Sequence, residues 1–272
     1  MTKVRLDMEM LARGLCPSRE KARALILAGE VRVNGVRAEK AGQEIPADAE
    51  IAVVEDAIPF VSRGGLKLDK AVKVFPIDLK GRVCADIGAS TGGFTDVMLK
   101  NGAKHVYSID VGYGQLDWSL RNDPRVTVME RTNARFMTPD WFAEPISFAS
   151  IDVSFISLRL ILPPLFASME EGEVVALIKP QFEAGRAEIG KNGVVRDASV
   201  HERVISEILA FADQTGFEID GLSFSPITGP KGNIEFLLYM RKSSTKNDAS
   251  LHKISETIHE IVKNSHLLGK SC

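Results

Sequence analysis

The chain of 272 residues is long enough for one large domain and one small one. A hydrophobic fraction of 44%, a charged fraction of 26% and a net charge of −2 are ordinary for a soluble globular protein and by themselves indicate no nucleic-acid partner. Three scattered cysteines without C-x-x-C spacing (Cys16, Cys84 and Cys272) exclude a disulfide framework and a zinc site. A charged N-terminus excludes a signal peptide, and no apolar run reaches the ~20 residues of a membrane span. We therefore expect a cytoplasmic protein.

Residues 1–45 combine an excess of positive charge with the pattern of a small α+β unit. They hold nine Lys and Arg against six Asp and Glu. Two short helices are predicted, over residues 4–14 and 19–30, and the second begins after a serine N-cap. A strand, an Asn-Gly turn and a second strand follow, and a last strand over 50–55 closes the unit.

The rest of the chain alternates helices and strands in the order of a doubly wound α/β domain. A helix is predicted over residues 62–75, and five strands begin near residues 83, 105, 126, 145 and 171. After a Gly-rich, charged loop over 180–198 come a helix over 200–216 and a final pair of strands. Residues 243–272 are more polar and are predicted to add one amphipathic helix.

A glycine loop joins the first strand of this domain to the following helix. Its D-x-G-x-x-x-G-G pattern differs from the G-x-G-x-x-G of dinucleotide binders and suits S-adenosylmethionine, which has no pyrophosphate to place at a helix N-terminus. An ordinary glycine-rich turn is the alternative. We predict that Asp86 lies near the ammonium group of the methionine half and that the glycines let the backbone approach it. The predicted contact residues of this loop are Asp86, Gly88, Ser90, Gly92 and Gly93.

Polar residues at the ends of the next two strands strengthen the cofactor prediction. Asp110 ends the second strand, where a carboxylate of a doubly wound fold accepts hydrogen bonds from both hydroxyls of a ribose. Asn133 follows the third strand and is placed to contact the adenine edge. Three strand ends with suitable groups in order favour a cofactor site over a structural turn.

Two further strand ends carry groups suited to catalysis. Asp152 follows the fourth strand in the tetrapeptide Asp-Val-Ser-Phe, which differs from the [D/N]-P-P-[F/Y] of amine-modifying nucleic-acid methyltransferases and argues against base N-methylation. Lys179 follows the fifth strand, next to the fourth in such a sheet. A lysine whose pKa is lowered by burial and by a second cation is a suitable general base for a ribose hydroxyl. The sequence offers no cluster of metal ligands.

The N-terminal segment resembles the S4 RNA-binding module, first described in a small-subunit ribosomal protein. The resemblance rests on the A-x-x-L-I-x-x-G-x-V-x-V-N-G pattern and implies docking on RNA backbone and shape. Solvated surface charges without an RNA role are the alternative. The positions that the resemblance assigns to RNA binding are Arg5, Arg13, Ser18, Arg19, Lys21, Arg23, Arg32, Asn34 and Arg37.

From residue 1 to about residue 240 the chain resembles the TlyA family of FtsJ-like ribose 2′-O-methyltransferases, in motifs that include SRGGLKL, DIGASTGGFTD, SIDVSFISL, LIKPQF and GNIEFLL. This resemblance implies a Lys-Asp-Lys-Glu set formed by Lys67, Asp152, Lys179 and Glu235. In it Lys179 orients or deprotonates the 2′-hydroxyl, Asp152 and Lys67 hold the hydroxyl and tune its pKa, and Glu235 fixes the lysines or the hydroxyl. Lys70, which lies one helical turn away, is the alternative to Lys67.

The implied fold is an α/β, Rossmann-like methyltransferase domain, with a mostly parallel sheet and a terminal antiparallel strand, preceded by a small α+β RNA-binding domain. The predicted divisions are residues 1–57, a linker over 58–63, the methyltransferase domain over 64–242 and an extension over 243–272. The implied activity is methylation of cytidine 2′-hydroxyls in ribosomal RNA or ribosomal subunits. Whether the target is the large subunit alone or both subunits stays open, as does the oligomeric state.

Two alternatives remain at this point. Some members of the family are labelled haemolysins, so a membrane-lytic role is one of them, although the sequence shows no span and no secretion signal. The second is an RNA-binding protein with a degenerate methyltransferase domain, which the complete glycine loop and its acidic partners argue against.

Overall fold

The computed structural model describes residues 3–28, 30–53, 58–190, 192–229, 231–244 and 249–268. The predicted domain end at residue 57 and Cys272 lie outside these ranges, as does the side chain of Arg37. The chain divides into an N-terminal unit over residues 1–59 and a C-terminal unit over residues 60–272.

The N-terminal unit places two helices beside two small sheets. Its elements in chain order are β1 (Lys3–Arg5), α1 (Leu6–Ala12), α2 (Arg19–Ala28), β2 (Val31–Val33), β3 (Val36–Arg37), β4 (Glu44–Pro46) and β5 (Ile51–Val53). Strands β1 and β4 form a two-stranded antiparallel sheet, and β2 pairs with both β3 and β5. The side chains that share one apolar core are Leu6, Met10, Ala22, Ile26, Val31 and Ile45.

The N-terminal unit confirms the hairpin and corrects the start of the first helix. Asn34 and Gly35 have φ values of 50° and 78°, which are the left-handed conformations of a two-residue hairpin turn. The predicted helix over 4–14 begins only at Leu6 because the preceding residues pair with β4, with Val4 opposite Ile45. A distant strand thus overrides the local helical pattern.

The C-terminal unit contains a seven-stranded sheet. Its strands are β6 (Val83–Ile87), β7 (His105–Ile109), β8 (Val126–Met129), β9 (Phe148–Ile151), β10 (Gly172–Ile178), β11 (Glu218–Phe224) and β12 (Phe236–Lys242). The order across the sheet is β11-β12-β10-β9-β6-β7-β8. The strands from β10 to β8 are parallel, and β12 runs antiparallel to both of its neighbours. The predicted mostly parallel sheet with an antiparallel last strand is confirmed.

Helices cover both faces of this sheet. They are α3 (Gly65–Val74), α4 (Gly93–Lys100), α5 (Trp118–Arg121), α6 (Leu162–Ser168), α7 (Pro180–Glu183), α8 (Ala198–Thr215), α9 (Ala249–Ser255) and α10 (Ile258–Ser265), with short 3-10 turns at Ala134–Phe136, Pro139–Trp141, Leu158–Leu160 and Arg186–Glu188. The predicted loop over 180–198 is therefore partly helical. None of the described helices is long and apolar enough to span a membrane.

The strand order reverses beside β6, which is buried along its whole length. The chain passes from β6 to β7 and β8 on one side, and then crosses to β9 and β10 on the other. Loops that leave β6 and β9 therefore diverge at the carboxyl ends of these strands and open a crevice between them, which is where doubly wound folds bind ligands.

Two predicted boundaries differ from the structure. Residues 60–63 are part of the C-terminal unit and not of a linker, because Phe60 packs against its core and the Val61 N–H donates to Asp96 Oδ2 at 2.9 Å. The predicted extension after residue 242 forms two helices instead of one. Ile258 and Val262 of α10 are buried in the core that α8 shares, so this segment completes the unit.

Candidate active site

A cavity of about 760 Å³ lies at the carboxyl ends of β6, β9 and β10. The glycine loop after β6 forms one wall, and residues 62–64, which precede α3, form another. Asp152 at the end of β9 and Lys179 at the end of β10 line the cavity, together with Lys67 from α3 and Glu235, which directly precedes β12. Parallel strands present their carboxyl ends at one edge of the sheet, and the antiparallel β12 begins at that same edge, so sequence positions from 67 to 235 meet in one place.

Asp152 lies between two lysines. Its Oδ2 is 3.1 Å from Lys67 Nζ and its Oδ1 is 2.5 Å from Lys179 Nζ. Glu235 Oε2 is 2.7 Å from Lys67 Nζ, so Lys67 bridges the two carboxylates. Lys179 Nζ also donates to Ser154 Oγ at 3.0 Å. The four charges therefore form one connected network, which we call the tetrad.

The tetrad is buried, and its charges stabilise one another. Burial lowers the pKa of Lys67, but the attraction of Asp152 and Glu235 outweighs it and leaves this pKa above its ordinary value. Burial raises the pKa of Asp152, but the two lysines outweigh it and leave this pKa below its ordinary value. Lys67 is therefore a fixed cation and Asp152 a fixed anion at neutral pH. The neighbouring Lys70 instead donates to the Phe224 carbonyl, which decides between the two lysines in favour of Lys67.

The glycines of the loop allow close backbone contacts. Gly88 has a φ of 88°, and a Cβ atom at this position would lie 2.7 Å from the Asp152 carbonyl oxygen. A Cβ at Gly93 would lie 2.6 Å from Ser62 Oγ and 2.7 Å from the Gly65 nitrogen. Both positions exclude larger residues, because the loop after β6 packs directly on the loop after β9 and on the start of α3.

Asp86 lies behind the loop and does not line the cavity. It has no exposed surface, and Oδ2 accepts hydrogen bonds from the Thr95 N–H at 2.9 Å and from Thr95 Oγ1 at 2.7 Å. Burial raises its pKa to about 7, against the hydrogen bonds from Thr95. The direct contact with an ammonium group that the sequence suggested is replaced by a supporting position, in which Asp86 holds the start of α4 under the loop.

Asp110 and Ser90 are brought together beside the cavity, and Asn133 follows Thr132, whose N–H donates to the Asp110 carbonyl at 2.9 Å. Asp110 Oδ2 accepts from the Ser90 N–H at 2.8 Å, and Oδ1 accepts from the Gly112 N–H at 2.6 Å. Both residues line a small hollow between the ends of β6 and β7. Asn133 is exposed after β8, and its Oδ1 accepts from the Arg135 N–H at 3.1 Å.

Among the cavity-lining residues that sequence reasoning missed are Arg63, Ser154, Phe155 and Phe182. Ser154 contacts Lys179, and Arg63 lies on the wall formed by residues 62–64. Phe155 is 90% exposed, has a φ of 64° and stacks against Phe182 with 5.1 Å between ring centroids. The signal for Phe155 was its position at the end of the Asp-Val-Ser-Phe turn, where an aromatic residue is also typical of the related amine-modifying pattern.

The predicted RNA-binding residues of the N-terminal unit fall into two groups. Arg13 is engaged within the unit, because it donates to the carbonyls of Ala47 and Ala49 and pairs with Glu9. Ser18 and Asn34 likewise accept backbone N–H groups of Lys21 and Glu50. The other predicted positions with described side chains are exposed, and of these Arg5 and Arg19 contact Asp7: Arg5, Arg19, Lys21, Arg23 and Arg32.

A parallel sheet with a glycine loop after its first strand, an acidic residue after the second and a lysine–carboxylate set at the same edge is the arrangement of Rossmann-like methyltransferases. The FtsJ-like methyltransferase family model matches residues 60–242, and the S4 domain model matches residues 4–51. The chain belongs to the FtsJ-like methyltransferase family and carries an N-terminal S4 domain. It is an S-adenosylmethionine-dependent enzyme.

Relatives match the chain over nearly its whole length. The TlyA 16S/23S rRNA (cytidine-2′-O)-methyltransferase of Mycobacterium tuberculosis is 42% identical over 96% of this chain and 97% of its own. Hemolysin A of Brachyspira hyodysenteriae is 44% identical over 87% of this chain and 99% of its own. A solved structure from Streptococcus thermophilus is 49% identical, with a TM-score of 0.78 over 99% of this chain and 98% of that one.

The residues around the cavity fit the cofactor of this family. The volume of about 760 Å³ is sufficient for a molecule of that size together with part of a nucleotide. Gly88 and Gly93 line the cavity and let its walls approach each other closely, and Ser90 and Asp110 lie next to each other at its side. The described residues contain no group of three or more His, Cys, Asp and Glu side chains arranged to hold a metal ion.

Proposed function

We propose that this protein methylates the 2′-hydroxyl of a cytidine ribose in ribosomal RNA. The observation that carries the proposal is the buried tetrad at the cavity, in which Lys67 and Lys179 flank Asp152. A ribose hydroxyl is a very weak acid, so its methylation requires a group that orients it and removes its proton. A ring nitrogen of a base has no such requirement, and the tetrad therefore favours an oxygen target.

The four residues divide this task. Lys179 Nζ orients the ribose hydroxyl in its charged form and accepts the hydroxyl proton only in its neutral form, and Asp152 Oδ1, 2.5 Å away, stabilises the ammonium group that results. Lys67 remains charged because Asp152 and Glu235 raise its pKa, so it holds Asp152 in place and favours negative charge on the reacting oxygen. Glu235 keeps Lys67 in position through the contact of 2.7 Å.

The loop after β6 and the end of β7 are assigned to the cofactor. S-Adenosylmethionine supplies an activated methyl group on its sulfonium. Gly88 and Gly93 line the cavity on this loop, whereas Gly92, with a φ of 91°, forms the turn into α4 against Leu116 and Leu120. Asp110, which the Ser90 N–H holds in place, is the acceptor for the ribose hydroxyls of the cofactor. Asp86 supports this loop from behind, and Asn133 is the candidate contact for the adenine.

The substrate assignment rests on the relatives and on the S4 domain. Relatives at 42% identity are named for cytidine 2′-O-methylation of 16S and 23S rRNA. The S4 domain supplies exposed arginines for contacts with RNA backbone. We extend the substrate to assembled ribosomal subunits in the cytoplasm, where these RNAs occur.

Methyl transfer from labelled S-adenosylmethionine to purified 30S and 50S subunits and to their naked RNAs tests the proposal. The modified nucleotide is identified by nuclease digestion and mass spectrometry. A 2′-O-methylcytidine is expected, and the four substrates reveal whether one subunit or both is the target. A methylated base would overturn the assignment of the tetrad, and a lack of transfer to all four substrates would contradict the proposed activity.

A further inference from the structure

Asp7 is a buried carboxylate in the N-terminal unit, and two arginines contact it. Arg5 donates from Nε to Oδ1 and from Nη2 to Oδ2, both at 3.1 Å, and Arg19 donates from Nε to Oδ2 at 2.9 Å. The Asp7 side chain is only 1% exposed. The hydrogen bonds from Arg5 lower the pKa of Asp7 to about 2, so it stays ionised under physiological conditions.

The two guanidinium groups keep their outer faces in solvent. The side chains of Arg5 and Arg19 are 51% and 44% exposed. Within the described part of the N-terminal unit, Arg5 Nη1 and both Nη atoms of Arg19 have no hydrogen-bond partner. A Cβ at Gly42 would lie 3.0 Å from Arg5 Nη2, so the backbone there packs closely on the Arg5 guanidinium.

This arrangement suits a phosphate diester. Two guanidinium groups and one carboxylate carry a net charge of +1, and the donors that Asp7 does not use point to solvent. Because their Nε atoms are already held, these arginines lose less side-chain freedom on binding than free surface arginines do. Arg13 differs, since its guanidinium is engaged by carbonyls of its own unit.

We propose that Asp7 is a positioning residue that fixes Arg5 and Arg19 as a two-arginine clamp for one phosphate group of the RNA backbone. The proposal rests on the proposed function in that RNA is the ligand. It gives an acidic residue a favourable role in RNA binding, although its negative charge alone would repel the RNA backbone.

The substitution Asp7→Asn distinguishes the clamp from a purely electrostatic effect of charge on RNA affinity. It removes a negative charge with little change in volume, so electrostatics alone predicts tighter binding of RNA. The clamp predicts about tenfold weaker binding of naked 23S rRNA, since two long side chains become free to move. Filter binding measures the Kd at several KCl concentrations. The KM for RNA rises to the same extent, whereas kcat at saturating RNA and the affinity for S-adenosylmethionine are unchanged.

Glu20→Gln is the matched control for charge. Glu20 is exposed beside Arg19 in the first turn of α2, and the described residues show no side-chain partner for it. This variant is expected to bind RNA as tightly as the parent protein or slightly more tightly. Asp7→Asn behaving in the same way would overturn the proposal.

A double-mutant cycle separates positioning from a loss of folding in the N-terminal unit. In the Arg5→Ala/Arg19→Ala background, Asp7→Asn is expected to change the Kd for RNA by less than about twofold, because the groups that it positions are gone. A further tenfold loss in that background would mean a general structural role and would overturn the clamp. Methyl transfer is scored separately: an RNA-binding effect without any methylation by the parent protein would leave the clamp standing and contradict the proposed activity.

Discussion

The two units of this protein each place one aspartate between two cations, and the environments give these clusters opposite properties. In the N-terminal unit Asp7 holds Arg5 and Arg19, whose side chains are about half exposed. At the cavity Asp152 is held between Lys67 and Lys179, whose side chains are 10% and 8% exposed, and Glu235 balances the second lysine charge.

The difference follows from the chemistry of the cations. Arginine keeps its proton in any protein environment and presents several donors in a plane, so a half-exposed pair is suited to holding a phosphate. Lysine presents a single nitrogen, whose pKa is lowered by burial and raised by neighbouring carboxylates, so that its surroundings decide whether the proton is kept or transferred. Substitutions in the two clusters should therefore affect different steps. Those around Asp7 should affect RNA binding, and those around Asp152 should affect methyl transfer.

The largest effect is expected from Lys179→Ala. Removal of the nitrogen that orients or deprotonates the ribose hydroxyl should lower kcat by about 10³-fold or more. Binding of S-adenosylmethionine, measured by calorimetry, should stay within about twofold of the parent protein. Lys179→Arg sharpens the test, because arginine retains the charge but does not release its proton. Near-normal turnover of the Arg variant would assign Lys179 to orientation alone, and near-normal turnover of the Ala variant would remove it from the mechanism.

Lys67→Ala is expected to lower kcat by about 10²-fold, because Asp152 and Glu235 lose their shared cation and repel each other. Lys70→Ala provides the matched control on the same helix. Its nitrogen donates to the Phe224 carbonyl and makes no contact with the tetrad in the described structure, so turnover should stay within about twofold. Single-turnover methylation and a thermal melt of both variants distinguish a loss of chemistry from a loss of folding. Equal effects of the two substitutions would contradict the assignment of Lys67.

Arg19→Ala combined with Arg23→Ala should weaken the binding of naked 23S rRNA by about tenfold at 0.1 M salt and reduce the salt slope by about one to two. Turnover at saturating RNA should not change. Lys73→Ala with Lys80→Ala removes the same charge from exposed positions of the C-terminal unit and should leave the slope nearly unchanged. Equal losses in both double variants would show that total charge, and not the S4 domain, determines RNA affinity.

The smallest expected effect is on stability at low pH, where the free energy of unfolding should change at a different pH in each of the two units. Burial and the neighbouring His266 lower the pKa of His201 to about 4, opposed by the Val195 carbonyl and Asp197. Because the unfolded chain binds this proton near pH 6.5, His201 lowers the stability of the folded C-terminal unit by about 1–2 kcal/mol after solvent screening as the pH falls from about 6.5 to about 4. The raised pKa of Asp86 acts in the opposite direction over this range, so the contribution of His201 is measured by substitution.

The N-terminal unit should respond at lower pH. Asp7 has a pKa lowered to about 2 in the folded unit, so its contribution is complete above the unfolded value near 3.8 and is lost as the pH falls through about 2. Both tryptophans lie in the C-terminal unit, so their fluorescence reports that unit in urea titrations at pH 7 and pH 4.5. His201→Gln should raise the urea midpoint at pH 4.5 relative to that at pH 7, compared with the parent protein, and an unaltered pH dependence would contradict the role of the buried histidine.

Local patterns in the sequence determined most of the turns, strands and helices of this protein. The Asn34-Gly35 turn, the buried run of β6 and the glycine loop up to Gly93 are encoded by neighbouring residues, because left-handed turns and strand periodicity depend on a few positions. The order of alternating strands and helices then limits the topology, and it places Asp110, Asp152 and Lys179 at one edge of a parallel sheet. The match of these residues to a family motif extended the set to Lys67 and Glu235.

Other features were decided only by tertiary contacts between distant residues. β1 is a strand because β4 lies beside it. Residues 60–63 belong to the C-terminal unit because the Val61 N–H donates to Asp96 and Phe60 packs against the core of that unit. Asp86 and Asp7 look alike in the sequence as isolated acids, yet one supports a loop through Thr95 and the other holds two arginines. Burial and partner identity set the role of a charged side chain, and both depend on residues that only the folded chain brings within a few ångströms.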